Sequence, residues 1–258
     1  MKTRTSFFTI SILSILLAAF SLAAKSQNSE SQIVKQDRTT TEFKGIKASN
    51  AVEVFLTQSD KTSITVETYS DKQEIVKTEV KDGILKIFIN GKFNRNTSPK
   101  VYVSCPKIEF ITGSKASSVK CETAVKSEKL NIDFGSAASL DGNFEAKEIN
   151  CDFSSGASAK ITVATSELYV KSSSGSSADL IGTTDKFLLE SSSGSQINAF
   201  ELNTKKCTAK VSSGSEVNIN VDEELIGDAS SGSQITFKGN AKSDLCSTSS
   251  GAEISRKQ

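Results

Sequence analysis

The sequence predicts an all-β chain wound as a parallel β-helix, a β-solenoid with an N-terminal β cap. Two observations carry that prediction. First, eight glycines recur along the second half at nearly constant spacing: Gly113, Gly135, Gly156, Gly175, Gly194, Gly214, Gly232 and Gly251, separated by 22, 21, 19, 19, 20, 18 and 19 residues. A sustained period near 20 means one structural unit stacked on copies of itself. Second, apolar residues fall two apart on either side of each glycine. Ile149, Leu168, Phe187, Cys207 and Leu225 stand seven residues before it, and Leu130, Cys151, Val170, Leu189, Ala209 and Cys246 five before. Ala138, Ala159, Ala178, Ile197, Val217, Ile235 and Ile254 follow three after, and Leu140, Ile161, Leu180, Ala199, Ile219 and Phe237 five after. This is strand alternation with one buried face, and no helical stripe competes with it.

Residues 1–26 read as a signal peptide. Lys2 and Arg4 precede the uncharged apolar run Phe7–Ala24, and cleavage after Ser26 or after Ala23 satisfies the small-x-small preference. No cysteine stands near for lipid attachment, and no second apolar stretch reaches membrane-spanning length. The chain is therefore expected to be exported without a retained span, to the periplasm, outer surface or medium. Loss of Lys2, Arg4 and Lys25 from 31 basic residues, against 30 acidic ones, leaves the remainder slightly acidic. Neither sign forms a run, so nucleic acid is not an expected partner.

Residues 27–110 are rich in strand but lack the glycine repeat. Ala51–Thr57 and Ser63–Glu67 alternate around Gln58-Ser59-Asp60-Lys61. Ile75–Val80 and Ile84–Ile89 flank Asp82-Gly83, and Asn90-Gly91 follows. Asp-Gly and Asn-Gly are strong hairpin signals. The segment is expected to cap the first coils and to continue into the Ser-Ser-Gly body of residues 111–258, with no Pro- or Gly-rich linker between them. Asn28–Thr41 reads as a tail or loose first strand.

Within 111–258 each repeat reads as strand, Ser-Ser-Gly turn, strand and a second, less regular turn. A sharp strand-to-strand turn favours positive φ, which glycine adopts at least cost. The flanking serines are small enough to stack, with hydroxyls free to bond turn backbone or the serine one coil away. The alternative is a hydroxyl strip for a glycan or a modification. The five cysteines are odd in number. Cys151, Cys207 and Cys246 fall in interior columns and Cys105 alternates with Val101 and Val103, so they read as small buried hydrophobes rather than a disulfide framework. Cys151 and Cys246 share a column several coils apart, too far to bond.

Val52–Gln58, Thr78–Ile87 and Val101–Ile108, standing before the glycine-serine coils, carry a resemblance. Together they resemble the bacterial family called putative auto-transporter adhesin, head GIN domain, common in Bacteroidetes, over residues 41–254. The resemblance implies a right-handed, pectin-lyase-like β-helix without a recognised catalytic set and a role in cell adhesion. This chain uses Ser-Ser-Gly-Ser where many members use Gly-Ser-Gly-Asp-like turns. No stretch reads as a translocating β-barrel, so the chain is not expected to export itself.

There is no histidine, which removes Ser-His-Asp and Cys-His catalysis and most zinc sites. Carboxylate chemistry on a β-helix needs paired acids on a cleft wall built by long loops, and coils of such uniform length leave no room for those. The densest acidic cluster, Asp222-Glu223-Glu224, reads as a solvated turn. Neither a calcium nonapeptide nor a phosphate loop is present. No metal or cofactor is expected. The candidate ligand face is the outward strip containing Asn150, Asp152, Tyr169, Lys171, Glu190, Thr208 and Lys210, which ordinary outward strand residues would equally produce. The function expected is a non-enzymatic, adhesin-like binding protein whose partner is a glycan or a host or cell-surface protein. A polysaccharide lyase or hydrolase, and an envelope scaffold or sensor without a glycan ligand, are the alternatives.

Overall fold

The computed structural model describes residues 32–243 and 245–257; the expected signal peptide, residues 1–26, lies outside them. In chain order the strands begin with β1 (Ile33–Arg38), β2 (Gly45–Ala48), β3 (Glu53–Gln58) and β4 (Ser63–Tyr69), then a 3-10 turn at Ser70–Ile75. β5 (Val76–Lys81), β6 (Ile84–Ile89), β7 (Lys100–Cys105), β8 (Phe110–Gly113) and β9 (Ser118–Cys121) follow. The regular coils are β10 (Val125–Phe134), β11 (Ser139–Phe153), β12 (Ser158–Ser172), β13 (Ser177–Ser191), β14 (Gln196–Val211) and β15 (Glu216–Ala229). β16 (Gln234–Lys238), β17 (Ser247–Thr248) and β18 (Glu253–Arg256) close the sequence.

From β10 to β16 each strand pairs in parallel with the next, so equivalent residues of successive coils stack. One interior column runs Leu130, Ile149, Leu168, Phe187, Cys207, Leu225, and all six are at most 2% exposed. The fold is a β-solenoid with a continuous core, in which each fully buried large side chain contributes about 1.5–3 kcal/mol. Leu130 therefore belongs two residues from the column the glycine spacing suggests. Leu140 likewise pairs with Ala159 rather than with Ile161.

That slip has one cause, which is that the first two glycines are not the turn glycines. In the later coils Ser155 (φ 50°) and Gly156 (φ 72°) form the centre of a tight turn closed by Ala157 N–H donating to Ser154 O at 3.0 Å. Two positive φ values in succession describe a type I′ turn, whose second centre favours glycine. In the earlier coils the same two positions are Lys115-Ala116 and Ser136-Ala137, with φ between 51° and 60°. Gly135 is the residue that opens its turn, and Gly113 lies in the interior column beside Phe134. A Cβ on Gly113 would run into the Phe134 ring, so packing against the next coil selects this glycine.

The second corner differs from the expected separate turn. The 15-residue strands β11, β12 and β13 stay paired in register around it, while the β13–β14 and β14–β15 pairs absorb extra residues near it as bulges. In β12 the buried positions are Ala159, Ile161 and Val163, then Leu168, Val170 and Ser172, so the alternation changes phase across residues 164–167. Thr165 Oγ1 donates to Lys147 O and Glu167 O, both at 3.0 Å, which carries the ladder through the bend. A bend with intact pairing leaves little composition signal.

The N-terminal coil is out of sequence order. Asn50-Ala51 (φ 61° and 56°) is another turn of the same kind, and Ala51 N–H donates to Lys115 O at 2.9 Å. β2 and β3 thus stack on β8 and β9, and on their other side lie β6 and β7, which come later in the chain. β4 then runs antiparallel to β7, β1 antiparallel to β4, and β5 antiparallel to β6. Asp82-Gly83 makes the expected hairpin, with Lys81 opposite Ile84. Asn90-Gly91 does not: β6 and β7 pair with β2 and β3 respectively, so residues 90–99 cross between them instead of reversing. Ser59–Lys61 likewise carries the chain from β3 to a strand that pairs with β7. No helix among the described residues is long and apolar enough to cross a membrane.

Candidate binding face

The last residues before each turn alternate between core and solvent. In β11, Ile149, Cys151 and Phe153 point inward, so Glu148, Asn150 and Asp152 point out. Stacking in register turns these outward positions into three parallel ladders with rungs about 4.8 Å apart. The ladder nearest the turn runs Thr112, Asp133, Asp152, Lys171, Glu190, Lys210, Asp228. The middle one runs Phe110, Asn131, Asn150, Tyr169, Leu188, Thr208, Ile226. The third, beside the second corner, runs Lys129, Glu148, Glu167, Lys186, Lys206, Glu224.

All seven candidate residues lie on this face, with Asn150, Tyr169 and Thr208 in the middle ladder and Asp152, Lys171, Glu190 and Lys210 beside them. Phe110, Leu188 and Ile226, outside those seven, are 36%, 42% and 38% exposed and share the middle ladder. An apolar residue flanked by two apolar inward neighbours, as Leu188 is by Phe187 and Leu189, was the available signal.

The ladders are electrostatically ordered. In the third, Lys129 pairs with Glu148 at 2.7 Å, Lys186 with Glu167 at 3.1 Å and Lys206 with Glu224 at 3.5 Å. Hydrogen bonds from Lys129 and then Asn150, the latter at 2.8 Å, hold Glu148 below its ordinary carboxylate range. In the ladder by the turn, signs alternate from Asp152 through Lys171, Glu190 and Lys210 to Asp228. Burial, then the neighbouring Asp152, raises the Asp133 carboxyl. Burial and then Glu190 raise the Tyr169 phenol. Opposite signs nearly cancel over the face, so it does not attract a polyelectrolyte by long-range field. A groove of ≈ 370 Å³ follows Lys171, Glu190, Lys210 and Asp228 along the turn serines. A second, ≈ 540 Å³, opens beside Phe110 and Asn131.

The serines divide into two sets. Where a serine follows the turn glycine it points inward: Ser176, Ser195, Ser215 and Ser233 are at most 2% exposed. Ser176 Oγ donates to Phe153 O at 2.9 Å and Ser233 Oγ to Val211 O at 2.9 Å, tying each turn to the preceding coil. Ser172 and Ser191, interior themselves, share hydroxyl contacts of 2.8 Å with Ser176 and Ser195. The central turn serines, such as Ser155 and Ser174, are exposed and line the turn ridge.

Burial pushes the Cys105 thiol up to about 12; burial and then Asp141 do the same to Cys121, also to about 12. Burial also raises Cys151 and Cys207, and a thiol held protonated is a poor nucleophile. Glu224 of the acidic cluster is engaged by Lys206, and Glu223 O accepts from Lys242 N–H at 3.1 Å. Among the described residues no group of three or more His, Cys, Asp or Glu side chains is arranged to hold a metal ion.

The family model described as Putative auto-transporter adhesin, head GIN domain, matches residues 42–241. No curated protein matches the sequence. The fold superimposes with a TM-score of 0.84 on a putative adhesin from Parabacteroides merdae ATCC 43184, at 15% identity over 89% of this chain and 98% of that one. It superimposes at 0.83 on a putative lipid binding protein from Parabacteroides distasonis ATCC 8503, at 16% identity over 89% and 98%. A putative adhesin from Bacteroides fragilis NCTC 9343 gives 0.65 at 20% identity over 88% and 97%. At these identities the likeness concerns the fold.

Proposed function

The chain belongs to the family described as Putative auto-transporter adhesin, head GIN domain, and from that premise we propose that it is a non-enzymatic, adhesin-like binding protein of the cell envelope or surface. The binding surface is the three-ladder face of β10–β15, and its partner is a glycan or a cell-surface protein. The observation that carries this reading is the middle ladder. Tyr169, Leu188 and Ile226 stand outward on a flat sheet where solvated residues would suffice. Exposed apolar side chains rimmed by charge mark interaction surfaces. The lack of any histidine and the buried, protonated thiols support a role without turnover. Export through residues 1–26 is part of the same proposal.

The test is a panel of glycans and matrix proteins, with retention and degradation scored in the same wells. Saturable retention without cleavage, lost in Leu188→Glu while the fold is kept, is the expected result. Cleavage of any panel member sinks the non-enzymatic reading, and retention unaffected by Leu188→Glu sinks the assignment of the face.

A further inference from the structure

The charges of this face are complementary to themselves. Consider a two-fold axis parallel to the strands, lying between the coil of Tyr169 and the coil of Leu188. It would bring two copies face to face, keep each ladder opposite itself, and reverse the order of the coils. In the third ladder Glu167 then meets Lys186 of the second copy, Glu148 meets Lys206, and Lys129 meets Glu224. In the ladder by the turn, Lys171 meets Glu190 and Asp152 meets Lys210. Five of the six charged positions of one half-site thus find an opposite sign. The exception is Asp133 opposite Asp228, at the edge. The register is set by the chain's own pairings.

Neighbouring registers fail. Moving the axis one coil toward the N-terminus places Glu148 on Glu167 and Lys129 on Lys186. Moving it one coil the other way places Lys186 on Lys206 and Glu167 on Glu224. An axis along the middle ladder instead keeps like coil on like coil and exchanges the two charged ladders, which places Asp152 on Glu148, Lys210 on Lys206 and Asp228 on Glu224. Only the register between Tyr169 and Leu188 removes these repulsions, and like charges across an interface select against wrong arrangements.

The same axis brings Tyr169 and Leu188 of the second copy together at the centre and leaves Ile226 at the edge, opposite Asn131. Asn150 stands opposite Thr208 outside the central pair, with the charged ladders on both flanks. An apolar centre inside a polar rim is the ordinary anatomy of an interface. The charges by the turn are also available, because Lys171, Glu190 and Lys210 are exposed. We infer that the partner of this face is a second copy of the chain, docked antiparallel about that axis, so that adhesion is homophilic. The inference rests on the adhesin reading and on its choice of face. Six rungs of about 4.8 Å by six residues of about 3.3 Å give about 570 Å² per copy. That is near the lower bound for a stable interface, which makes the dimer weak singly and effective when many copies are displayed.

The experiment is sedimentation equilibrium of the protein across a wide concentration range, with Lys171→Glu, Glu190→Lys and their equimolar mixture. The wild type is expected to dimerise. Each single variant opposes like charges at both symmetric contacts and should weaken dimerisation by at least about tenfold. The mixture restores both contacts and should recover it, which no folding defect could do. A wild type that stays monomeric, single variants that associate as the wild type does, or a mixture that is not rescued would each overturn the proposal. If Leu188→Glu abolishes retention on the glycan and protein panel while the wild type never self-associates, the adhesin reading stands and the homophilic one falls.

Discussion

The regular coils, β10–β16, and the N-terminal strands, β1–β9, solve the same problem with different chemistry. In the regular coils every strand pairs with its sequence neighbour, and six successive turns from Ser155-Gly156 to Ser250-Gly251 place Gly at the second centre. In the N-terminal region coil order departs from chain order, and the turns at Asn50-Ala51 and Lys115-Ala116 hold alanine at the same position, as does Ser136-Ala137 where the regular coils begin. The difference also runs through the core. Phe134 and Phe153 fill the interior column before the turn in the first regular coils, with Ala138 and Ala157 after it. Further along, Ser172 and Ser191 replace the rings, and Ser176 and Ser195 replace the alanines. A large residue with a small one, or two serines bonded to each other, fills the same corner. Repetition fixes the backbone while leaving this packing choice open.

The strongest way to break that comparison is to empty the aromatic end. Phe153 is fully buried, and Phe153→Ala should lower unfolding free energy by about 3–5 kcal/mol. Denaturant titration reads it, and a loss under 1 kcal/mol would mean that the corner collapses around the gap. The serine end should respond less. Ser195 Oγ donates to Ser192 O at 3.0 Å and Ser172 O at 3.1 Å, and it meets Ser191 Oγ at 2.8 Å. Ser195→Ala strands buried groups and should cost about 1–3 kcal/mol. If it proves neutral, the serine column holds its place by size alone, as Ala157 does.

The two regions were also unequally legible. Periodicity located the coils because each inward residue stacks on its counterpart about 20 residues away, and parallel pairing turns that spacing into columns. It misplaced Leu130 and Leu140 by two residues, because both were aligned on Gly135, which opens its turn, while Ala137 stands where Gly156 stands in the next coil. Among the N-terminal strands, Asp82-Gly83 was readable because its partners are adjacent in sequence. Asn90-Gly91 misled because β7 pairs with β3, over forty residues earlier, and no local signal encodes so distant a partner. The face was half legible: alternation put seven residues on it, but their alignment by coil, and therefore the alternating charges, needed the true register.

The smallest effect sharpens the comparison most, because it concerns the turn alone. Ala116 sits at φ 57°, and an L-residue there carries about 1–2 kcal/mol of strain that glycine does not. Glycine gives back about 0.5–1 kcal/mol in unfolded-chain entropy. Ala116→Gly should therefore stabilise by about 0.5–1 kcal/mol, a net of those two terms. The reverse change, Gly156→Ala, places a Cβ where no atom lies within 4 Å, so only backbone strain opposes it and the loss should be of similar size. Midpoint shifts of opposite sign at unchanged m-value are the expected pair. If Ala116→Gly destabilises instead, alanine in the early turns is held by contacts with neighbouring coils, and the two regions would then differ in what selects their turns as well as in their pairing order.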